Sequence, residues 1–133
     1  MEDETSGGHS RINLADVADA APANGFADRW EARGARTDLD AEQTGLTHFR
    51  LRPGKRSPFM HRHQQAEEVY VVLGGTGRIK LDDEILDVRV LDAVRVAPEV
   101  ARAFEAGPDG LEFIAFGPHR EADGETVQDS WVD

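Results

Sequence analysis

His61 and His63 stand two residues apart, and Glu68 follows within the stretch Gly54–Gly75, which reads GKRSPFMHRHQQAEEVYVVLGG. Side chains alternate along a strand, so imidazoles at i and i+2 leave the same face. Gln64, Gln65 and Ala66 can form a turn. A strand returning from Glu67 to Leu73 then carries Glu68 back toward the two rings. Imidazole nitrogens and a carboxylate oxygen are donors that divalent transition ions accept, and three protein ligands leave positions open for water or substrate. The set suits iron, manganese, nickel or zinc and does not choose among them. An ordinary pair of hydrogen-bonded strand histidines has the same spacing; the added register of Glu68 favours ligation. Alternation sends Glu67 to the opposite face. Tyr70 shares the face of Glu68, where it either lines the same cavity or packs as plain core.

Other chemistries find less support. Gly74-Gly75-Thr76-Gly77 is not followed by a lysine or a helix start, so it is no phosphate loop. No Ser-His-Asp or Cys-His arrangement stands out. His9, His48 and His119 have no partner pattern and read as surface residues. Phe59, Phe104, Phe113 and Phe116 read as packing rather than substrate contacts.

The elements that must hold these side chains are short. From Leu46 onward, alternating segments are separated by turn residues, the pattern of an all-β sandwich or barrel. Strands are expected over 46–52, 59–63, 67–73, 76–81, 84–88, 93–97, 101–106 and 111–116. Turns are expected at Pro53-Gly54, Gly74-Gly75, Asp82-Asp83 and 107–110, and Gly117-Pro118 ends the last strand. Arg95, between Val94 and Val96, is expected to point outward. Both faces of the 67–73 and 111–116 strands carry apolar residues, so cover from residues 12–43 or from a second subunit is expected.

Upstream, residues 1–11 are polar, acidic and glycine-containing, and are expected to be disordered. Asn13 can cap a short helical turn over 14–20, stopped by Pro22, and Asn24-Gly25 is a turn signal. Phe26, Trp30 and Leu39 are scattered anchors, so 12–43 reads as an arm of little regular structure over a barrel. At the other end, 118–133 is a polar tail with one large apolar residue. That residue, Trp131, is expected to dock, with a neighbouring subunit as one candidate surface.

With 133 residues the chain fits one domain, placed at 12–133 with its core at about 45–117. The net charge of −11 argues against nucleic acid and anionic membrane as partners. No apolar run is long enough to cross a bilayer, and the polar start is no signal peptide. Cysteine is absent, which fits a cytoplasmic location.

The run Gly54, His61, His63, Glu68, Gly75, spaced G-x6-H-x-H-x4-E-x6-G, resembles the first motif of the cupins, whose usual spacing has five residues before the first histidine. The second cupin motif, G-D-x4-P-x-G-x2-H, is degenerate here: Leu91-Asp92-AVRV-Ala97-Pro98-Glu99-VA-Arg102. The resemblance covers roughly 45–117. It implies a small antiparallel β-barrel (a jelly roll), often a homodimer, with His61, His63 and Glu68 as metal ligands and the fourth ligand position at Arg102.

Arginine stays protonated and has no lone pair to give, so Arg102 cannot complete a ligand set. Three arrangements stay open. The three remaining ligands bind the ion alone, as in two-His, one-carboxylate iron sites. Or Arg102 pairs with Glu68 and no metal binds. Or Arg102 holds the carboxylate of an anionic ligand that also reaches the metal. A guanidinium about 4 Å from a divalent ion is repelled by up to roughly 8 kcal/mol at an effective dielectric of about 20. Arg102 is therefore expected to turn away from a bound ion or to have an anion between. A metal-dependent dioxygenase or isomerase acting on a small molecule, a non-catalytic small-ligand binding or sensing barrel, and a degenerate barrel used for assembly all fit the sequence.

Overall fold

The structure, a computed structural model, describes residues 4–128 and Trp131, with the backbone alone for residues 4–6. Ten strands and two 3-10 turns make up the described regular structure, with no α-helix among them. A small hairpin pairs β1 (Glu4–Ser6) with β2 (His9–Arg11). The other eight strands form one curled antiparallel sheet, a β-barrel: β3 (Trp30–Gly34), β4 (Thr44–Leu51), β5 (Met60–His63), β6 (Glu68–Leu81), β7 (Glu84–Arg89), β8 (Ala93–Val96), β9 (Arg102–Pro118) and β10 (Gly124–Val127).

Several sequence expectations about the strands are corrected. Residues 4–11 form the hairpin rather than a disordered stretch: Gly7-Gly8 supply its tip, and Ser10 Oγ donates to the Leu39 carbonyl at 2.5 Å. The disorder expected for residues 1–3 lies outside the described residues. Second, the arm contributes β3, which pairs with β4 from Trp30↔Leu51 to Gly34↔Thr47. Its apolar residues are too few to show a strand period, because only Trp30 faces the core fully. The rest of the arm is irregular, as expected; Asn13 caps only one turn, Leu14–Asp16, through Ala15 N at 2.9 Å.

Third, neither Gly74-Gly75 nor residues 107–110 turns the chain. Both sit inside long strands, at one corner of the barrel. The β6–β9 register jumps from Gly77↔Ala106 to Gly75↔Leu111, so four residues of β9 bulge around Thr76. Gly75 has φ +76°, and a Cβ there would lie 2.0 Å from the Gly110 carbonyl oxygen. The glycines read as turn signals because they allow this close approach of two backbones. Fourth, the polar tail contributes β10, which pairs with β5 from Gly124↔His63 to Val127↔Met60. Strand β10 has almost no apolar pattern because it lies at the sheet edge.

The core fills the curl. Tyr70 and Val72 from β6, Val96 from β8, and Phe104 and Phe113 from β9 are buried. Phe113 stacks on Phe104 with centroids 4.0 Å apart and on Phe49 at 5.0 Å, and Trp30 lies 4.7 Å from Phe49. Phe59 packs at the edge of this cluster. Phe116 departs from the expected packing: it faces outward and is 37% exposed, next to Val69 on the outer face. The arm leaves that face partly open, with Leu73 42% exposed.

Trp131 docks on its own chain. It is buried against Met60, Ala101 and Ala103. The guanidinium groups of Arg56 and Arg78 sit over its ring, 5.0 and 5.8 Å from the centroid. Both also grip Glu105, at 2.6 and 2.5 Å. The neighbouring-subunit surface considered for Trp131 is thus taken by the chain's own barrel. His48 is likewise not a surface residue: it is buried in the sheet, with Nε2 2.6 Å from Glu112 Oε2. His9 is exposed, and His119 pairs with Glu121 at 3.0 Å. Arg95 points outward as expected and pairs with Glu67.

Candidate metal centre

Strand β5 lies between β9 and β10, and alternation along it sends Met60 and Arg62 one way and His61 and His63 the other. The turn over 64–67 brings the chain back into β6, whose first residue is Glu68. His61 Nε2 lies 3.5 Å from Glu68 Oε1, and His63 Nε2 lies 3.8 Å from the same oxygen. The two rings stand nearly perpendicular, 5.3 Å apart. One donor atom from each of the three residues falls within 4.8 Å of the others, the one such cluster among the described residues.

This geometry fits a divalent ion. Ligands about 2.1 Å from a common centre lie roughly 3–3.5 Å from each other at tetrahedral or octahedral angles. The two imidazole-to-carboxylate spacings, 3.5 and 3.8 Å, lie at or just above that range, so the side chains would close in slightly on an ion. The protonation states fit too. Burial pushes the Glu68 carboxyl up, but His61, the Tyr70 hydroxyl and the Arg102 charge outweigh it and hold Glu68 below the usual carboxylate range. Burial draws His63 below the usual imidazole value, with Glu68 and Asp123 opposing. A charged carboxylate and a neutral imidazole are the forms that give lone pairs to a cation. The Tyr70 hydroxyl donates to Glu68 Oε1. Burial and the Glu68 charge push the phenol well above its ordinary pKa, so it stays a donor.

Arg102 begins β9 directly beside His61 in the ladder and is 1% exposed. Its Nη1 donates to the carbonyls of Val100 at 2.9 Å and Pro98 at 3.3 Å. Its Nε is 3.8 Å from Glu68 Oε1, too far for a hydrogen bond, and neither Nε nor Nη2 has a hydrogen-bond partner. The side chain is therefore anchored to backbone at one nitrogen and forms an ion pair with Glu68 through Nε, without an aligned hydrogen bond.

Two cavities meet at the cluster. An inner chamber of about 50 Å³ is walled by Trp30, Phe49, Phe59, Tyr70, Phe104 and Phe113, with His61, Glu68 and Arg102 at its polar end. An outer recess of about 150 Å³ opens past His63, Glu68, His119, Arg120 and Asp123. Asp123 has no signal in the sequence, because it lies sixty residues from His63 in a segment that reads as tail. In the fold its carboxylate accepts from Gln65 N and Ala66 N, both at 2.9 Å, and so pins the turn between the strands that carry His63 and Glu68.

The sequence pattern of the cupin domain family matches residues 47–116, more than half of the chain. The chain belongs to the cupin family. No curated protein matches this cupin. Among solved structures it is similar to a cupin protein from Bacteroides fragilis, with a TM-score of 0.70 and 24% identity over 96% of this chain and 99% of that one. It is also similar to the polyketide cyclase RemF from Streptomyces resistomycificus, at 0.74 and 22% over 90% and 86%. A third match is oxalate decarboxylase from Bacillus subtilis, at 0.72 and 20%, over 87% of this cupin and 31% of the larger chain. At these identities the likeness is one of fold. It agrees with the barrel and jelly-roll reading of the sequence. No helix of the described residues is long and apolar enough to cross a membrane.

Proposed function

We propose that this cupin holds a divalent transition ion on His61, His63 and Glu68 and captures a small organic anion between that ion and Arg102. The observation that carries the reading is the Arg102 side chain: a guanidinium sealed from solvent, 3.8 Å from Glu68 at the polar end of the chamber, whose Nε and Nη2 make no aligned hydrogen bond. Unmet buried donors on a charged group are costly, and a carboxylate is the ligand whose two oxygens match them. It would also separate Arg102 from the ion and relieve their repulsion. In the metal-free alternative Arg102 pairs with Glu68; the two form an ion pair at 3.8 Å, without a hydrogen bond from Nε. Tyr70 shapes the chamber and orients Glu68. A bound ion would supply Lewis-acid or oxygen-binding chemistry. The activity itself, dioxygenase, isomerase or plain ligand binding, is unassigned. The chamber's volume limits the buried part of any ligand to a few heavy atoms.

The test is Arg102→Met, which keeps length and removes charge. Calorimetric titration of acetate or oxalate into zinc-loaded protein should show binding that weakens about 100-fold in the variant, close to 3 kcal/mol. The affinity for zinc itself should stay equal or rise, because a like charge is gone. Unchanged anion binding, or weaker zinc binding, contradicts the assignment.

The chain is further read as a cytoplasmic homodimer. Its lack of cysteine fits a reducing compartment, and the part-exposed strip of Leu73 and Phe116 offers a face for a second copy. A monomer in light scattering removes the dimer.

A further inference from the structure

Strand β10 adds more than an edge to the sheet. Its pairing places Gly124 opposite His63 and Thr126 opposite His61, so the C-terminal strand runs along the strand that carries both imidazoles. Asp123, just before it, is buried, and its Oδ2 lies 3.2 Å from His63 Nδ1. The contact is close without being an aligned hydrogen bond. Both carboxylate oxygens are already fixed by the amides of Gln65 and Ala66, so the group cannot swing away from the ring.

We infer that Asp123 is a positioning residue for the metal centre: it sets His63 in the tautomer that carries its proton on Nδ1 and leaves the lone pair of Nε2 facing Glu68 and His61. The inference rests on the metal reading above. An ionised carboxylate only accepts, so the ring nitrogen facing it is stable as N–H. Backbone N–H groups donate to both Asp123 oxygens, an arrangement that suits a carboxylate. Glu68 competes for the same proton from the other side of the ring. Its oxygen is 3.8 Å from Nε2, against 3.2 Å between Asp123 and Nδ1, so the nearer carboxylate wins. Carboxylates that orient a ligating histidine in this way typically change metal affinity 10- to 100-fold when removed. The same contact links the C-terminal strand to the site. What undocks β10 releases His63, and an ion held by His63 favours the docked strand.

Asp123→Asn tests this with little change of shape. The amide oxygen can still accept from one backbone N–H, while its NH2 group facing the ring favours the opposite tautomer, with the proton on Nε2. Two readouts are needed. Nitrogen NMR of the metal-free protein at pH 8 should show His63 as the Nδ1–H tautomer, changing toward Nε2–H in Asp123→Asn. Chelator competition with zinc should show affinity 10- to 100-fold lower in the variant, with His61 and Glu68 intact. His63 already in the Nε2–H form in the unchanged protein overturns the inference, as does a variant with the same tautomer and zinc affinity within twofold. The NMR readout needs no ion, so a protein that binds no zinc at all defeats the metal reading while the tautomer still decides the role of Asp123. If Asp123→Asn is too unstable to study, the tautomer of the unchanged protein decides alone: Nδ1–H supports the inference and Nε2–H overturns it.

Discussion

Glu68→Gln is expected to weaken binding of zinc or cobalt at least 100-fold, about 3 kcal/mol. The change keeps the shape of the side chain and removes the one negative charge among the three donors. Glutamine can still accept the Tyr70 hydroxyl, so the wall of the chamber should stand. The ion, however, would then face two neutral imidazoles with the Arg102 charge nearby and nothing to balance it. Arg102 loses its nearest carboxylate as well, so the metal-free variant should be less stable by roughly 1–2 kcal/mol. Competition with a chromogenic chelator reads the first effect and thermal melting the second. A variant that holds zinc as tightly as the parent would mean that Glu68 is not a ligand.

Trp131→Ala is expected to remove about 3 kcal/mol of stability, which lowers Tm by about 12 °C for a chain of this size. The indole is 9% exposed and fills the space over Met60, Ala101 and Ala103. Arg56 and Arg78 add cation–π contacts of about 0.5–1 kcal/mol each. The loss should reach the His61, His63 and Glu68 cluster, because Met60 precedes His61 on β5 and backs onto the indole. Urea unfolding measures it. A change below about 1 kcal/mol would show that the tail end is peripheral to the cooperative unit.

The sequence carried the barrel and the meeting of His61, His63 and Glu68 because both follow from local alternation and one turn. The long strands were harder to read. Gly74, Gly75 and the 107–110 segment are punctuation in a sequence, whereas at a barrel corner they are bulges, and only the facing strand decides which. Leu91 makes the same point in reverse. It stands where the cupin motif has glycine and keeps a left-handed backbone, φ +73°, at a strain of about 1–2 kcal/mol. Asp123, β3 and β10 were invisible for a different reason. Each is defined by partners far away in the chain, and an edge strand or a buried carboxylate leaves no period behind. Trp131 signalled that something must be covered, but not which surface would cover it. His48 gave no warning of burial, since its partner Glu112 is brought by β9 across the sheet.

The most direct measurement is the metal content of the protein purified without added metal, by plasma mass spectrometry, beside His61→Ala prepared in the same way. Three ligands meeting at one point predict close to one transition ion per chain in the parent and almost none in the variant. A parent that carries no ion, and takes up none when iron, manganese, nickel or zinc is supplied, contradicts a metal centre at His61, His63 and Glu68.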